Sequence, residues 1–152
     1  GTPEYIAEHG QQRICEEAQL LKFIPKLTSL QISWLLLYFC AISRVNHLLR
    51  TVPPNLVQRI AQTHDDGILE VFQRLFRLLP EHSWNYNFHK VTFASCIAQA
   101  RLPLRYGGCG LRDPARTSIA AYWASWADSI SVIHERYPVI ANRILACFDA
   151  LC

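Results

Sequence analysis

Arg101, Arg105, Arg112 and Arg116 crowd one short stretch of the chain, and a glycine turn of Gly107, Gly108 and Gly110 lies among them. Guanidinium forks match the geometry of phosphate oxygens. The helix that Asp113 and Pro114 announce would add the positive end of its dipole. Asp113 suits an N-cap and Pro114 a first helical position, although the Asp113 carboxylate itself opposes an anion there. These arginines either contact a polyanion or pair with carboxylates, and the sequence leaves both open. Trp84, Tyr86 and Tyr106 are the aromatic side chains near enough in sequence to stack bases, with core or loop packing as the ordinary use of each.

Other chemistry finds less support. Asp65-Asp66 would suit two metal ions in a polymerase, but the pair follows Thr63-His64 in a helical context, where a polar face or a capping role is expected. His82, His89 and Cys96 recur at intervals of seven, with His64 further back, whereas zinc sites use tighter pairs. Cys109 sits between glycines in an arginine-rich loop that could lower its pKa, yet no histidine partner is near in sequence. Gly107-Gly108-Cys109-Gly110 lacks the Lys-Ser/Thr of a phosphate-binding loop and follows no strand. No metal site and no catalytic residue is therefore expected.

The elements that must position these residues are helical. Ile6, Ile14, Ala18, Leu21 and Ile24 suggest a first amphipathic helix ending near Pro25. Thr28 or Ser29 can cap a second, in which Leu30, Trp34, Leu37, Ala41, Val45 and Leu48 recur along one face. Pro53-Pro54 stops that helix and starts the next, which Gly67 would break or bend. A polar loop at 80–87 and a helix at 88–100 precede the glycine turn. After Asp113, the apolar side is expected to be Ile119, Tyr122, Trp123, Trp126, Ile130 and Ile133, with Ala120, Ala121 and Ala124 allowing a close neighbour. Pro138 marks a break before a last helix running from Val139 to Leu151. No strand alternation, internal repeat or low-complexity tract appears. The expected fold is all-α, an orthogonal array of about five to seven helices with a glycine-rich loop at 103–112.

The chain's 152 residues suit one helical domain, 51% apolar and 18% charged, enough to fold and bury a core. Its formal charge of +3 is unevenly spread: residues 41–116 hold ten basic and five acidic groups, and each flank is slightly acidic. That asymmetry permits a polyanion partner. The longest apolar run, Trp34 to Ile42, is too short for a bilayer, which needs about 20 residues, so a core helix is expected there and no membrane partner. Six scattered cysteines form no Cys-x-x-Cys pair, and buried free thiols, Cys40 and Cys96 among them, fit better than a disulfide framework. An intracellular protein, nuclear or cytoplasmic and not secreted, is the expectation. With no Met and a start in mid-pattern, the chain reads as a fragment of a longer protein.

Three stretches together resemble the region downstream of the catalytic palm in reverse-transcriptase-like proteins of non-LTR (LINE-type) retrotransposons. Leu48-Leu49-Arg50-Thr51-Val52-Pro53-Pro54 is similar to the family's "Leu-Leu-Arg…Pro-Pro". Leu102-Pro103-Leu104-Arg105-Tyr106-Gly107-Gly108-Cys109-Gly110-Leu111-Arg112 is similar to its "Leu-Pro…Gly-Gly-Leu-Gly-Leu", with Cys109 in place of Leu. Ala120 to Trp126 is similar to the Ala/aromatic helix that follows, and Gly1-Thr2-Pro3 to the end of a "Leu-Gly-x-Pro" turn. The resemblance implies a non-catalytic, thumb-like helical segment that supports the palm and helps hold an RNA/DNA template–primer. The palm and its Mg2+ would lie upstream, so no cofactor is expected in this chain. No chemical role transfers with Arg50 or the glycine loop. On charge, Arg50, Arg101, Arg105, Arg112 and Arg116 are the candidates for nucleic-acid backbone. A purely structural packing or protein-interaction module, with incidental arginines, is the rival.

Overall fold

The computed structural model describes residues 2–78 and 86–149, and among them there are helices and no strand. Six helices follow in order: α1 (Pro3–Phe23), α2 (Leu30–Thr51), α3 (Pro54–Phe76), α4 (Tyr86–Arg101), α5 (Pro114–Arg136) and α6 (Pro138–Asp149).

Local chemistry sets most of the boundaries. Thr2 caps α1, accepting the Tyr5 N–H at 3.4 Å, with Pro3 in the first turn. Ser29, not Thr28, caps α2 through the Ile32 N–H at 3.4 Å. Pro54 opens α3, where its missing N–H costs no helical bond. The helix runs unbroken through Gly67, whose bare Cα faces Leu21 of α1. It closes on Arg77 in the left-handed conformation, φ 50°, with the Leu78 N–H reaching the Gln73 carbonyl at 3.1 Å. A non-glycine residue there costs about 1 kcal/mol. Arg77→Gly should therefore raise the melting temperature by about 3 °C in a thermal scan, and an unchanged or lowered value would show that the αL cap carries no strain.

α2 is not uniform. An α-helical turn, Leu30–Leu35, passes through a π turn, Leu36–Ala41, and a 3-10 turn, Ile42–Val45, before α-helix resumes at Asn46–Thr51. The reason is legible in its buried line: Ser33, Leu37, Ala41, Val45 and Leu49. Steps of four residues would drift around a 3.6-residue helix, and a wide π turn takes up part of that drift. This helix is long and apolar enough by length and composition to cross a bilayer, a property that the uninterrupted nine-residue run alone does not suggest. Its buried line is nevertheless the spine of the packed interior. Leu30 lies exposed outside that line, and Cys40, expected inside, is exposed as well.

The interior has two apolar clusters. Leu21, Ile24, Leu37, Ala41, Ile68 and Phe72 form the first, closed by Ile97 and Ala100 of α4 and by Leu111. Val45, Leu49, Val52, Val57, Ile60 and Ala61 form the second, against which Ile6 and Ile14 of α1 and Ala115 and Ala121 of α5 pack. Both α2 and α3 run through the two clusters. α1 approaches α3 so closely that a Cβ on Gly10 would lie 2.1 Å from Ile60 Cδ1. α5 packs against the end of α2 and against α3, and α6 packs along α5.

Two expected faces are corrected by this packing. On α1, Leu21 and, just past its end, Ile24 are buried and Ile6 and Ile14 half-buried as expected, but Ala18 is exposed, and Gly10 and Glu17 complete the buried line. On α5 the buried positions are Pro114 and Ser118, followed by half-buried Ala121, Tyr122, Ser125 and Trp126, while Ile119 and Trp123 face outward. The small side chains point inward because α5 lies close to its neighbours: Ser118 is fully buried, its hydroxyl donating to the Ala115 carbonyl at 2.9 Å and reaching Gln58 Oε1 at 3.3 Å.

Candidate functional site

The glycine turn is built around the end of α4. After Arg101 the chain makes a 3-10 turn, Leu104–Tyr106, and then doubles back on itself. The N–H groups of Cys109 and Leu111 both donate to the Ala100 carbonyl at 3.1 Å, and the Gly110 N–H donates to the Leu102 carbonyl at 2.9 Å. These bonds satisfy carbonyls that a helix C-terminus leaves open. Gly107 and Gly110 take the left-handed conformation, at φ 77° and 69°. Gly108 is required for a different reason: a Cβ on it would lie 2.0 Å from the Leu102 carbonyl oxygen. The turn ends by delivering Leu111 into the first cluster and Asp113 to the start of α5.

Asp113 does two jobs there. Its Oδ1 accepts the Arg116 N–H at 3.0 Å, capping α5 ahead of Pro114 as the sequence predicts. Its Oδ2 meets Arg101 Nη1 at 3.0 Å, and the other guanidinium nitrogen, Arg101 Nη2, binds Asp65 Oδ2. One arginine thus ties α3, the end of α4 and the start of α5 together. Asp65 lies in the interior, and burial pushes its carboxyl above the usual 3.8; Arg101 pulls it down, and Asp113 and Asp66 push it up. The Asp65-Asp66 pair is therefore split: one residue is an internal anchor, and the other is exposed.

Beside this triad lies a second buried pair that the sequence reading missed. His64 Nδ1 stands 2.7 Å from Glu17 Oε2, joining α3 to α1 between the two apolar clusters. The signal was present: Ile60, Ala61, His64, Asp65 and Ile68 keep helical spacing, which puts 64 and 65 on the buried face.

The five candidate arginines separate into two groups. Arg101 is committed to Asp65 and Asp113, and Arg50 makes an exposed ion pair with Asp128 at 3.4 Å. Arg105, Arg112 and Arg116 are exposed, and among the described residues none of them pairs with a carboxylate. Arg105 lies over the exposed Tyr106 ring at 4.8 Å. Arg112 and Arg50 border a cleft of about 460 Å³ whose floor is Ile42, Val45, Leu49 and Ile68, with Asp65 at its base. Pro53 and Pro54 act in the α2–α3 junction, away from any chemistry of their own.

Cys109 packs against the first cluster, and among the described residues no three or more His, Cys, Asp or Glu side chains come together as a metal ion would need. His82 and Trp84, and the side chains of Tyr86 and His89, lie outside the described residues. Cys15, Cys40, Cys96, Cys109 and Cys147 are free thiols, with Cys96 and Cys109 half-buried and the others exposed. No protein-family model matches the chain, and neither a curated protein nor a solved structure matches it.

Proposed function

We propose that this chain is a non-catalytic, thumb-like helical module of a non-LTR retroelement reverse-transcriptase-like protein, supporting an upstream palm and contacting the template–primer backbone. The observation that carries the nucleic-acid contact is the unpaired state of Arg105, Arg112 and Arg116, exposed around a rigid turn among the described residues. The family reading rests on the order of the three sequence motifs; in the fold the end of α2, which bears Leu48–Thr51, packs against α5, which bears Ala120–Trp126, and the glycine turn leads into α5. Contacts of this kind read phosphates and not base edges, so binding is sequence-independent and salt-dependent.

The test is fluorescence anisotropy with a blunt RNA–DNA hybrid across a salt series. The double reversal Arg105→Glu with Arg112→Glu should weaken binding at least tenfold at low salt. It should also flatten the log–log salt slope by about 2, one unit for each lost phosphate contact. Unchanged affinity and slope would remove the nucleic-acid reading.

A second reading has its own observation. Ile119, Trp123, Val132, Tyr137, Val139 and Ile140 are exposed apolar side chains on α5, α6 and the junction between them, more than a solvated hairpin needs. In this reading the chain packs on another protein surface and the arginines are incidental. Loss of oligomer formation or of palm binding in Val139→Lys with Ile140→Lys, with hybrid binding absent in the unmodified chain, would favour it.

A further inference from the structure

A different face of the molecule combines aromatic and basic groups around two adjoining clefts, one of them lined by no acidic residue. On α2, Ile32, Leu35 and Phe39 point away from the buried line, and the Phe39 ring is 66% exposed. Tyr38 braces that ring edge-to-face at 5.0 Å. Phe39, Tyr38, Ser43, Asn46 and Arg112 line a cleft of about 300 Å³, and no acidic residue lines it. Asn46 and Arg112 also line the neighbouring 460 Å³ cleft that reaches Arg50. The two clefts thus share a wall, with Phe39 in one and Arg50 in the other. The second cleft also holds Asp65, which Arg101 engages, and its Arg50 pairs with Asp128.

An exposed ring, an amide, a hydroxyl and a guanidinium in a carboxylate-free cleft are suited to an unpaired nucleotide. Bases of any sequence stack on an aromatic face, and the adjacent phosphates need cations along the same track. A duplex cannot use this arrangement, because its bases are already stacked inside it. An acidic peptide would use the cations and leave the aromatic ring without a specific role. The Arg50–Asp128 pair is exposed and weak, so a phosphate can replace Asp128 at little cost.

We infer that the paired clefts bind a short single strand of nucleic acid, with a base stacked on Phe39, Asn46 contacting that nucleotide, and Arg112 and then Arg50 meeting successive phosphates. This rests on the nucleic-acid reading above but is separable from it. A single-stranded extension next to a duplex would enter these clefts at Arg112, which meets the phosphate at the junction, while the duplex backbone lies along Arg105, Arg112 and Arg116.

The test compares a blunt RNA–DNA hybrid, the same hybrid with a short oligothymidylate extension, and the free oligothymidylate, all with the full chain. The extension should tighten binding about tenfold, and Phe39→Ala should abolish that gain while leaving blunt-hybrid affinity unchanged. Phe39→Tyr should retain the gain and Phe39→Leu should lose it, which separates stacking from apolar contact. The exposure of Phe39 makes all three variants compatible with folding, and circular dichroism checks it. The inference is overturned if the extension adds nothing, if Phe39→Ala weakens blunt and extended hybrids equally, or if an acidic peptide displaces the extended hybrid's gain while free oligothymidylate does not. Binding of free oligothymidylate with no binding of the blunt hybrid would overturn the duplex reading and uphold this one.

Discussion

Gly108→Ala should lower the melting temperature by about 10 °C or prevent folding, whereas Gly107→Ala should lower it by only about 3 °C. The two glycines stand side by side in one turn, yet they are required for different reasons. Gly107 is left-handed, φ 77°, with open space where its Cβ would be, so alanine there meets only the intrinsic cost of that conformation, about 1 kcal/mol. At Gly108 the new carbon would meet backbone: 2.0 Å from the Leu102 oxygen, 2.5 Å from its carbon and 2.6 Å from the Gln99 oxygen. Those atoms cannot yield separately. The Leu102 carbonyl accepts the Gly110 N–H, and the Gln99 carbonyl accepts the Leu102 N–H at 3.0 Å. Relief requires the turn to open. That forfeits the two bonds to Ala100 and the one to Leu102, at about 1 kcal/mol each, and withdraws Leu111 from the first cluster, about 2 kcal/mol more. A total near 5 kcal/mol corresponds to a shift of at least about 10 °C for a chain of this size. Thermal unfolding followed by circular dichroism measures it, and a Gly108→Ala protein melting within about 3 °C of the unmodified chain would mean that the turn is not built as described.

That turn shows where sequence is most informative. Ser29, Pro54, Asp113 with Pro114, and Gly107 with Gly110 act on backbone groups within a few residues of themselves, so their types state their use. Helix existence and most boundaries follow from such residues. Which face turns inward does not. On α5 size nominates Ile119 and Trp123 for the core, but Ser118 and Ala121 are the ones that permit close approach of α2 and α3. Size favours burial in general, while proximity selects small residues at a tight crossing, and only the crossing decides between them. The π turn of α2 is similar: its cause is the four-residue spacing of the buried line, which becomes readable once that line is known.

The polar interior was hidden by a sound prior. Charged residues are mostly solvated, so Asp65 is expected on a polar face or at a cap, and the histidines are left as either solvated or satisfied in the core. The pairings that overturn this join residues 47 and 36 positions apart, and no local spacing announces a partner at that distance. The consequence for function is direct. Of the five candidate arginines, Arg101 belongs to the scaffold, Arg50 makes an exposed ion pair, and Arg105, Arg112 and Arg116 pair with no carboxylate among the described residues. The same triad orients the free ones, because it fixes the Asp113 cap that lies between Arg112 and Arg116.

Arg101→Met should accordingly destabilise the chain in a pH-dependent way, by about 8 °C at pH 7 and about 3 °C at pH 4. Methionine keeps much of the packed length and removes the cation from between Asp65 and Asp113. Breaking a buried pair by removing one partner costs about 3–5 kcal/mol when both groups are fully enclosed. Arg101 is 30% exposed and Asp65 12%, so about 2–3 kcal/mol is expected at neutral pH. The sign of the pH dependence follows from Asp65. Its carboxyl is raised by burial above 3.8 in the folded chain, so the folded state holds that proton more tightly than the unfolded one. Its contribution to stability is fullest below the unfolded value and declines as pH rises through the folded value. Arg101 is the strongest influence opposing that rise. Without it the folded value moves higher, the decline is deeper, and more of it has accumulated by pH 7. As pH falls, a growing share of Asp65 carries a proton and needs no cation, so the lost contact to Asp113 becomes the larger part of the cost. The cycle with Asp65→Asn isolates the pair: in that background Arg101→Met should cost nearly the same at both pH values. Equal destabilisation by Arg101→Met at pH 4 and pH 7 in the unmodified background would show that Asp65 is not the group Arg101 holds.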